Sequence, residues 1–402
     1  PAAPPTIAGG ATELLEQGTS GVASRVASAL YWNTHKTLAK WNPRVADLVV
    51  DNNSNLGINS VESIHRAVRA DLHQMQYVAE DLLSNEMARQ GASHWKRIVS
   101  PVKSAQIQQR LSANVSAEMW AREQAERLGQ QYVSRASKEV QQIADAYEAV
   151  AQRAYKEMKD AGIQGMEGVT AKRGWMRRQW NVTAIENMEE RLVAKGFIPE
   201  KAHQAVVRMV AASLRRANTT LDDITAYDIG ATIINRAKRK GYFEDSMFEM
   251  HQGNKVLKEV RDELELSGMP QDRIQRVMAV LEGKNNEAGK PGFLKHRMDL
   301  DYKQGMVVDG ELFRVTDLLD NNIATITERY LDGVSARVAF TKSGLPNATA
   351  IDNLKAELLH STPAAERRGA EELFDNIVAS LEGRPAGQAV NDTLRKVQQV
   401  TR

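Results

Sequence analysis

The chain has 402 residues, of which 42% are hydrophobic and 26% charged, and its formal net charge is +2. Such a composition excludes a disordered chain and gives enough apolar material for two or three cores, while the small net charge does not by itself imply a nucleic-acid partner. Cysteine is absent, which excludes disulfides, thiolate zinc sites and a cysteine nucleophile.

Aromatic residues make up only 5%, and the abundance of Ala, Arg, Glu and Gln suits helices better than sheets. No uncharged apolar run reaches the roughly 18 residues of a transmembrane helix, and the sequence reads as having no secretory signal. Residues 1–21 combine Pro1, Pro4 and Pro5 with Gly9, Gly10, Gly18 and Gly21 and read as a linker, expected of a processed chain or of a segment of something longer. Residues 22–161 read as a long-helix domain. Its first helix, 22–40, is anchored by Trp32 and Trp41, and Pro43 starts a short segment ending in a polar loop at 51–55. Ser60 is placed to cap a second long helix over 61–90, closed by Gly91, with Ile64, Val68, Met75, Val78, Leu82 and Leu83 on its apolar face. Ser100 and Pro101 start a third, because proline is preorganised at the first helical position.

The longest helical pattern covers 116–160, about 45 residues without proline, with apolar or small residues at a mean step of roughly 3.7. Ser116 is placed to cap it, with Glu118 in the first turn and Lys156 and Lys159 at the far end before Gly162. Such a rod would be about 68 Å long and reads as the spine of an extended helical assembly.

Residues 162–297 read as a basic helical bundle, since 171–240 holds 14 Lys and Arg against 7 Asp and Glu. Thr183 with Glu186 suggests a capping box for a helix that Gly196 closes; Pro199 opens the next, to Ala217. Asp222 and Asp223 begin a third, and 255–267 and 270–282 two more. Lys172, Arg173, Arg177, Arg178, Arg215, Arg216, Arg236, Lys238, Arg239 and Lys240 are the candidate DNA-phosphate contacts, because cations neutralise phosphates. Trp175 and Trp180 either stack on exposed bases or anchor the loop, and the neighbouring arginines equally suit a solvated loop surface.

Residues 298–402 hold a β-hairpin near 306–315, signalled by Asp309-Gly310 between apolar runs. Thr316 is placed to cap a helix of roughly 27 residues ending at Gly344 and Pro346. Thr362-Pro363 opens another to Glu382, and a last follows Pro385. The fold class expected is mainly α: an extended multi-helix bundle with one long helix and one small hairpin. No catalytic, metal or cofactor site is expected. Gly283, Gly289 and Lys290 have the wrong spacing for a phosphate loop and Pro291 replaces its hydroxyl; the eight histidines are dispersed. No Gly-x-Ser-x-Gly elbow occurs, and the pairs Glu189-Glu190 and Asp222-Asp223 read as solvated turns.

Collinear stretches carry a family resemblance. They are Glu62-Ser63-Ile64-His65-Arg66, Gly174-Trp175, Trp180-Asn181, Met298-Asp299-Leu300-Asp301, Val308-Asp309-Gly310, Phe313-Arg314-Val315, Asp317-Leu318-Leu319-Asp320-Asn321-Asn322, Arg329-Tyr330 and Val334-Ser335-Ala336-Arg337-Val338-Ala339. The chain resembles a middle portion of the large internal virion protein, the DNA-ejection protein of the inner core, of short-tailed phages of the T-odd coliphage type. The resemblance implies a homo-oligomeric ring in the capsid core, with portal and other ejection proteins as companions. After ejection it implies part of a conduit through the host envelope for genomic double-stranded DNA. Family members often carry a murein-cleaving domain, with a catalytic Glu in a Glu-Ser context and a Gly-rich motif; no Glu-Ser pair here is followed by such a motif. Membrane contact is accordingly expected from segments outside this chain. The alternatives are a noncatalytic part of a phage murein hydrolase and a DNA-binding helical module.

Overall fold

The computed structural model describes residues 34–51, 60–163, 166, 173–174, 178–240, 242–244, 253–281 and 299–381. The linker at 1–21, the glycine-rich stretch at 283–291 and the helix expected after Pro385 lie outside them. A helical stretch at 34–41 leads into α1 (Pro43–Val49), α2 (Val61–Arg89), α3 (His94–Val99), α4 (Pro101–Arg127) and α5 (Lys138–Asp160). Then come β1 (Gln179–Asn181), α6 (Val182–Ala194), α7 (Pro199–Ala217), α8 (Asp223–Lys240), β2 (Tyr242–Glu244), α9 (Gly253–Leu266) and α10 (Gln271–Leu281). Strands β3 (Gly305–Val308) and β4 (Glu311–Arg314), a 3-10 turn (Val315–Leu318), α11 (Ile323–Lys342), α12 (Ala348–Ser361) and α13 (Arg367–Leu381) complete the order. The fold is mainly α with a small β-hairpin.

The chain divides into two compact units, one built from 1–77, 156–164 and 329–402, the other from 78–155 and 165–328. In the first, Leu38, Val45 and Val49 share a core with Phe340, Leu358 and Phe374. Asn42 caps α1 by accepting from the Val45 amide at 3.1 Å, with Pro43 at the first helical position. The Ser60 hydroxyl accepts from the Ser63 amide at 3.1 Å, the cap expected for α2. The Trp41 indole donates to Glu366 Oε2 at 2.5 Å, which anchors it. Helix α13 starts four residues later than Pro363, after a turn closed by the Glu366 amide and the Pro363 carbonyl at 2.8 Å.

The second unit corrects the long-helix expectation. Residues 116–160 do not form one rod: α4 ends at Arg127 and α5 begins at Lys138. Gly129 adopts φ +62°, a conformation without steric cost only for glycine. Its amide bonds the Glu126 carbonyl at 3.0 Å, and the Gln130 amide bonds the Ala125 carbonyl at 2.8 Å, the paired closure of a Schellman cap. The Ser137 hydroxyl then accepts from the Val140 amide at 3.3 Å to open α5. Ser116 is no cap; it is buried in the middle of α4, where its hydroxyl donates to the Asn321 carbonyl at 3.3 Å. An apolar stripe at helical spacing cannot distinguish one long helix from two collinear stripes facing different neighbours.

Helices α6, α7 and α8 form the bundle of this unit, burying Ile185, Met188 and Leu192, Val206, Val210 and Leu214, and Ile229, Ile233 and Ile234. The cap of α6 is Asn181, whose side chain accepts from the Ala184 amide at 3.1 Å, in place of the Thr183-Glu186 box. Asp222 caps α8 through the Thr225 amide at 2.8 Å. Strands β3 and β4 pair in the register Met306↔Phe313 and Val307↔Leu312 around a turn in which Asp309 and Gly310 both have positive φ. Helix α11 begins after a break at 319–322, its cap being Asn322, which accepts from the Thr325 amide at 3.3 Å; Thr316 lies in the 3-10 turn instead. A second antiparallel pair, not expected from sequence, sets Trp180 opposite Phe243 between β1 and β2.

The segment 299–322 ties these helices together. The Ser213 hydroxyl donates to the Asp301 carbonyl at 3.0 Å, the Asp301 amide donates to the Ser213 carbonyl at 3.2 Å, and Asn218 donates to the Asp299 carbonyl at 2.9 Å. Gln124 donates to Asp301 Oδ1 at 3.1 Å, Tyr302 donates to Glu123 at 3.1 Å, and the Trp120 and Tyr302 rings stack with centroids 5.5 Å apart. The Asp320 amide donates to the Gln179 carbonyl at 2.7 Å.

Gly174 fixes the approach of the 173–174 turn to α4. Its φ is +64°, and a Cβ there would collide with the Met119 carbonyl oxygen and stand 2.7 Å from both Arg122 Cβ and the Glu123 nitrogen. Backbone atoms of a packed helix cannot yield. Gly174→Ala is therefore expected to destabilise this unit by about 2–4 kcal/mol from overpacking plus left-handed strain, read as a lower urea midpoint; an unchanged midpoint would show that the turn does not seat against α4.

Candidate functional site

Six of the residues singled out as phosphate contacts, Arg173, Arg215, Arg216, Arg236, Lys238 and Arg239, stand within ion-pair distance of acids. Arg236 is 5% exposed on α8 and donates to Glu263 at 2.8 Å and to Glu259 at 2.9 Å, both on α9. Arg239 pairs with Glu263 as well. Lys238 donates to Glu189 Oε2 at 2.6 Å, while His203 lies 2.8 Å from the other oxygen of that carboxylate. Burial works to raise the Glu189 pKa, and the bonds from His203 and Lys238 outweigh it and hold the carboxyl below its usual value. Arg215 pairs with Asp223, Arg216 stands 3.8 Å from Asp301, and Arg173 stands 3.4 Å from Glu148.

Arg178 is 1% exposed, with its guanidinium 5.9 Å from the centroid of the Tyr302 ring. Trp180 is equally buried, its backbone bridging to Leu319, and is an anchor of the fold. Burial therefore withdraws Arg178 and Arg236 from any surface that DNA could touch, and Trp180 from any stacking role. Lys172, Trp175, Arg177 and the side chain of Lys240 lie outside the described residues. The arginines and lysines were legible as a positive excess; the glutamates that answer them come from other helices, so their pairing was not.

A buried charged constellation was missed by the sequence reading. Arg122, on α4, donates from Nε to Glu118 Oε1 at 2.9 Å, from Nη1 to Asp145 Oδ1 at 2.5 Å and to Glu148 Oε2 at 3.0 Å, and from Nη2 to the Gln141 carbonyl at 3.5 Å. Glu118, Arg122 and Glu148 are all buried. The second oxygen of Glu118 accepts from Tyr132 at 2.7 Å and Ser134 at 2.8 Å, both on the stretch joining α4 to α5. Burial pulls the Arg122 pKa down, and the bonds to Glu118, Asp145 and Glu148 more than reverse this, so the guanidinium stays charged. The Tyr132 phenol is pushed up to about 12, first by burial and then by its bond to Glu118. The one sequence signal was the i, i+4 pair Glu118 and Arg122, which the placement of Glu118 in a first turn concealed.

A buried acid also lies in the other unit, in the first turn of α2. Glu62 Oε2 accepts from the Asp51 amide at 3.0 Å, while Oε1 is buried with Arg66 Nε no closer than 3.9 Å. Arg66 is drawn to Asp51 instead. Burial raises the Glu62 pKa to about 7 against the smaller opposing effects of the Asp51 amide and Arg66. On the same helix burial, followed by the charge of Arg69, lowers the pKa values of His65 and His73 to about 4.

No family model matches the chain, and no curated protein matches it.

Two outcomes follow from these groups. Arg122→Met leaves the buried Glu118 without its cation and Glu148 with only the exposed Arg173 beside it, which is expected to cost about 3–5 kcal/mol, read as lost amide-exchange protection in α4 and α5; protection equal to wild type would mean that the carboxylates are stable without it. In folded protein Glu62 keeps its proton up to about pH 7, whereas unfolded it loses it near its ordinary value. Glu62 thus makes stability fall as pH rises between those values, by about 3 kcal/mol once both are passed. His65 and His73 act in the opposite sense, stability rising with pH from about 4 to the ordinary histidine range. The difference between wild type and Glu62→Gln isolates the glutamate: the variant should be the more stable above pH 7 in urea titrations, and a difference that does not change with pH would contradict the assignment.

Proposed function

We propose that the chain is a structural segment of a phage DNA-ejection protein, part of an oligomeric ring in the capsid core and later of a conduit through the host envelope. The reading rests on the sequence resemblance. It is supported by where the resembling stretches lie, because several of them are framework pieces. Asp299, Leu300 and Asp301 bind α4 and α7: Arg127 donates to the Leu300 carbonyl at 3.4 Å beside the Ser213 and Asn218 bonds. Val308-Asp309-Gly310 makes the hairpin turn, and Phe313, Val315 and Leu318 are fully buried. Residues in such roles specify a scaffold that must hold its shape.

The electrostatics suit a wall along which a polyanion passes. Cations already engaged by Glu189, Glu259, Glu263 and Asp223 would have to abandon partners to grip phosphate, so a duplex can slide past without strong counterion-releasing contacts. The partners in this reading are further copies of the chain, companion ejection and portal proteins, and double-stranded DNA in transit.

Mass measurement tests it. Native mass spectrometry of the purified chain should give species at integer multiples of the monomer mass, and purified virions should contain the full-length protein inside the capsid. A protein that stays monomeric at every concentration and is missing from virions would end this reading.

A further inference from the structure

Between Glu86 and Glu118 the chain runs for 31 residues without Asp or Glu and holds Arg89, Lys96, Arg97, Lys103 and Arg110. Three of these are occupied. Arg89 lies 3.1 Å from Glu86 and 3.5 Å from Glu139, Arg97 turns inward to Ser84 at 2.8 Å and the Ala92 carbonyl at 3.1 Å, and Arg110 donates to Gln90 at 2.9 Å. Lys96 and Lys103 are exposed and enter no ion pair among the described residues. Beside them stand three large apolar side chains in water: Trp95 is 69% exposed, Val99 54% and Val102 72%.

These residues are displayed on a fixed turn. Trp95 and Val99 are one helical turn apart on α3, and Val102 and Lys103 follow in the first turn of α4. Ser104, buried, donates from its hydroxyl to the Lys96 carbonyl at 3.2 Å, and its amide bonds the Ser100 carbonyl at 3.1 Å. Residues 104, 107 and 111 carry the buried face of α4, so the exposed group is not an unfinished core.

We propose that the turn carrying Trp95, Lys96, Val99, Val102 and Lys103 docks on the headgroup layer of an anionic phospholipid bilayer. An indole has an apolar body with a polar N–H and is favoured at the boundary between water and hydrocarbon. Two valines add hydrocarbon that can enter the acyl boundary, whereas a single-stranded nucleic acid would gain nothing from them, since bases stack on π faces. Lysines that enter no ion pair among the described residues match the negative surface potential of an anionic leaflet. Among the described residues no helix is long and apolar enough to cross a membrane; the contact proposed is peripheral, combining apolar insertion with electrostatic attraction. It stands without the phage assignment, and it places a bilayer contact inside this chain where the sequence reading looked for one only outside it.

The test is co-sedimentation of the whole chain with vesicles of phosphatidylcholine alone or mixed with phosphatidylglycerol, at low and high salt. Partition into the phosphatidylglycerol vesicles is expected, weakened by salt, with tryptophan emission quenched by brominated acyl chains. A Trp95→Ser, Val99→Ser, Val102→Ser triple variant should lower partition at least tenfold and remove that quenching, and a Lys96→Glu, Lys103→Glu variant should abolish the preference for the anionic lipid. The changed positions are exposed, so circular-dichroism melting should match wild type and separate lost docking from lost folding. No partition by the wild type, equal partition into both vesicle types, or partition untouched in the triple variant would overturn the proposal. So would binding of a single-stranded oligonucleotide that Trp95→Ser abolishes while vesicles are ignored. The subunit mass is read separately, so failure here leaves the ring reading standing or falling on its own.

Discussion

A buried guanidinium facing three carboxylates sets the shape of the larger unit. Taking Arg122, Glu118 and Glu148 out of water is costly, and the mutual attraction repays it only when donors and acceptors are nearly all matched. Here they are: three nitrogens of Arg122 donate, and both oxygens of Glu118 accept. The matching requires α5 to return to α4, which a continuous helix through 128–137 would prevent. Gly129 permits the reversal, and Tyr132 and Ser134 fasten the returning chain to the same carboxylate.

The same solution recurs elsewhere in that unit. Arg236 is held by two glutamates of α9, Arg273 donates to Asp228 at 2.8 Å, and Lys238 shares Glu189 with His203. Among the described residues, Arg236, Lys238 and Arg239, which look like part of a nucleic-acid footprint when counted along the chain, are engaged in ion pairs between helices, as is Arg273. The smaller unit contains an exception in Glu62, whose nearest cation is drawn to Asp51. An acid buried with too little compensation titrates where its solvated counterpart would not.

Local signals were legible wherever the interaction is local. Ser60, Asn322 and Asp222 mark caps, although only Ser60 and Asp222 were read as helix starts; Pro101 and Pro199 open helices, and Asp309-Gly310 turns the hairpin. What failed depends on distant partners. Glu118 and Ser116 resemble a helix start in sequence, yet both are interior because Arg122 and the Asn321 carbonyl meet them there. The three-residue strands β1 and β2 pair across about sixty residues of helix, and nothing within Gln179–Asn181 announces Tyr242–Glu244. Arg178 and Arg236 read as surface cations because burial of a charge is a property of its surroundings. For the candidate site, composition gave the basic excess and Trp180, and the pairing that decides its use came only with the fold.

The turn at Trp95–Lys103 was not singled out in the sequence, where only the helix start at Ser100 and Pro101 was read; its distinction lies in exposure, which periodicity does not report. Everything placed on the larger unit presumes that α4 and α5 are separate helices joined by the Arg122 network. A double-mutant cycle between Arg122→Met and Glu148→Gln tests this most directly. Twenty-six positions apart on one unbroken helix, these residues would lie about 39 Å from each other, and their effects would add within about 0.5 kcal/mol. The structure predicts a coupling of about 1.5–3 kcal/mol; simple additivity would contradict it and restore the single rod.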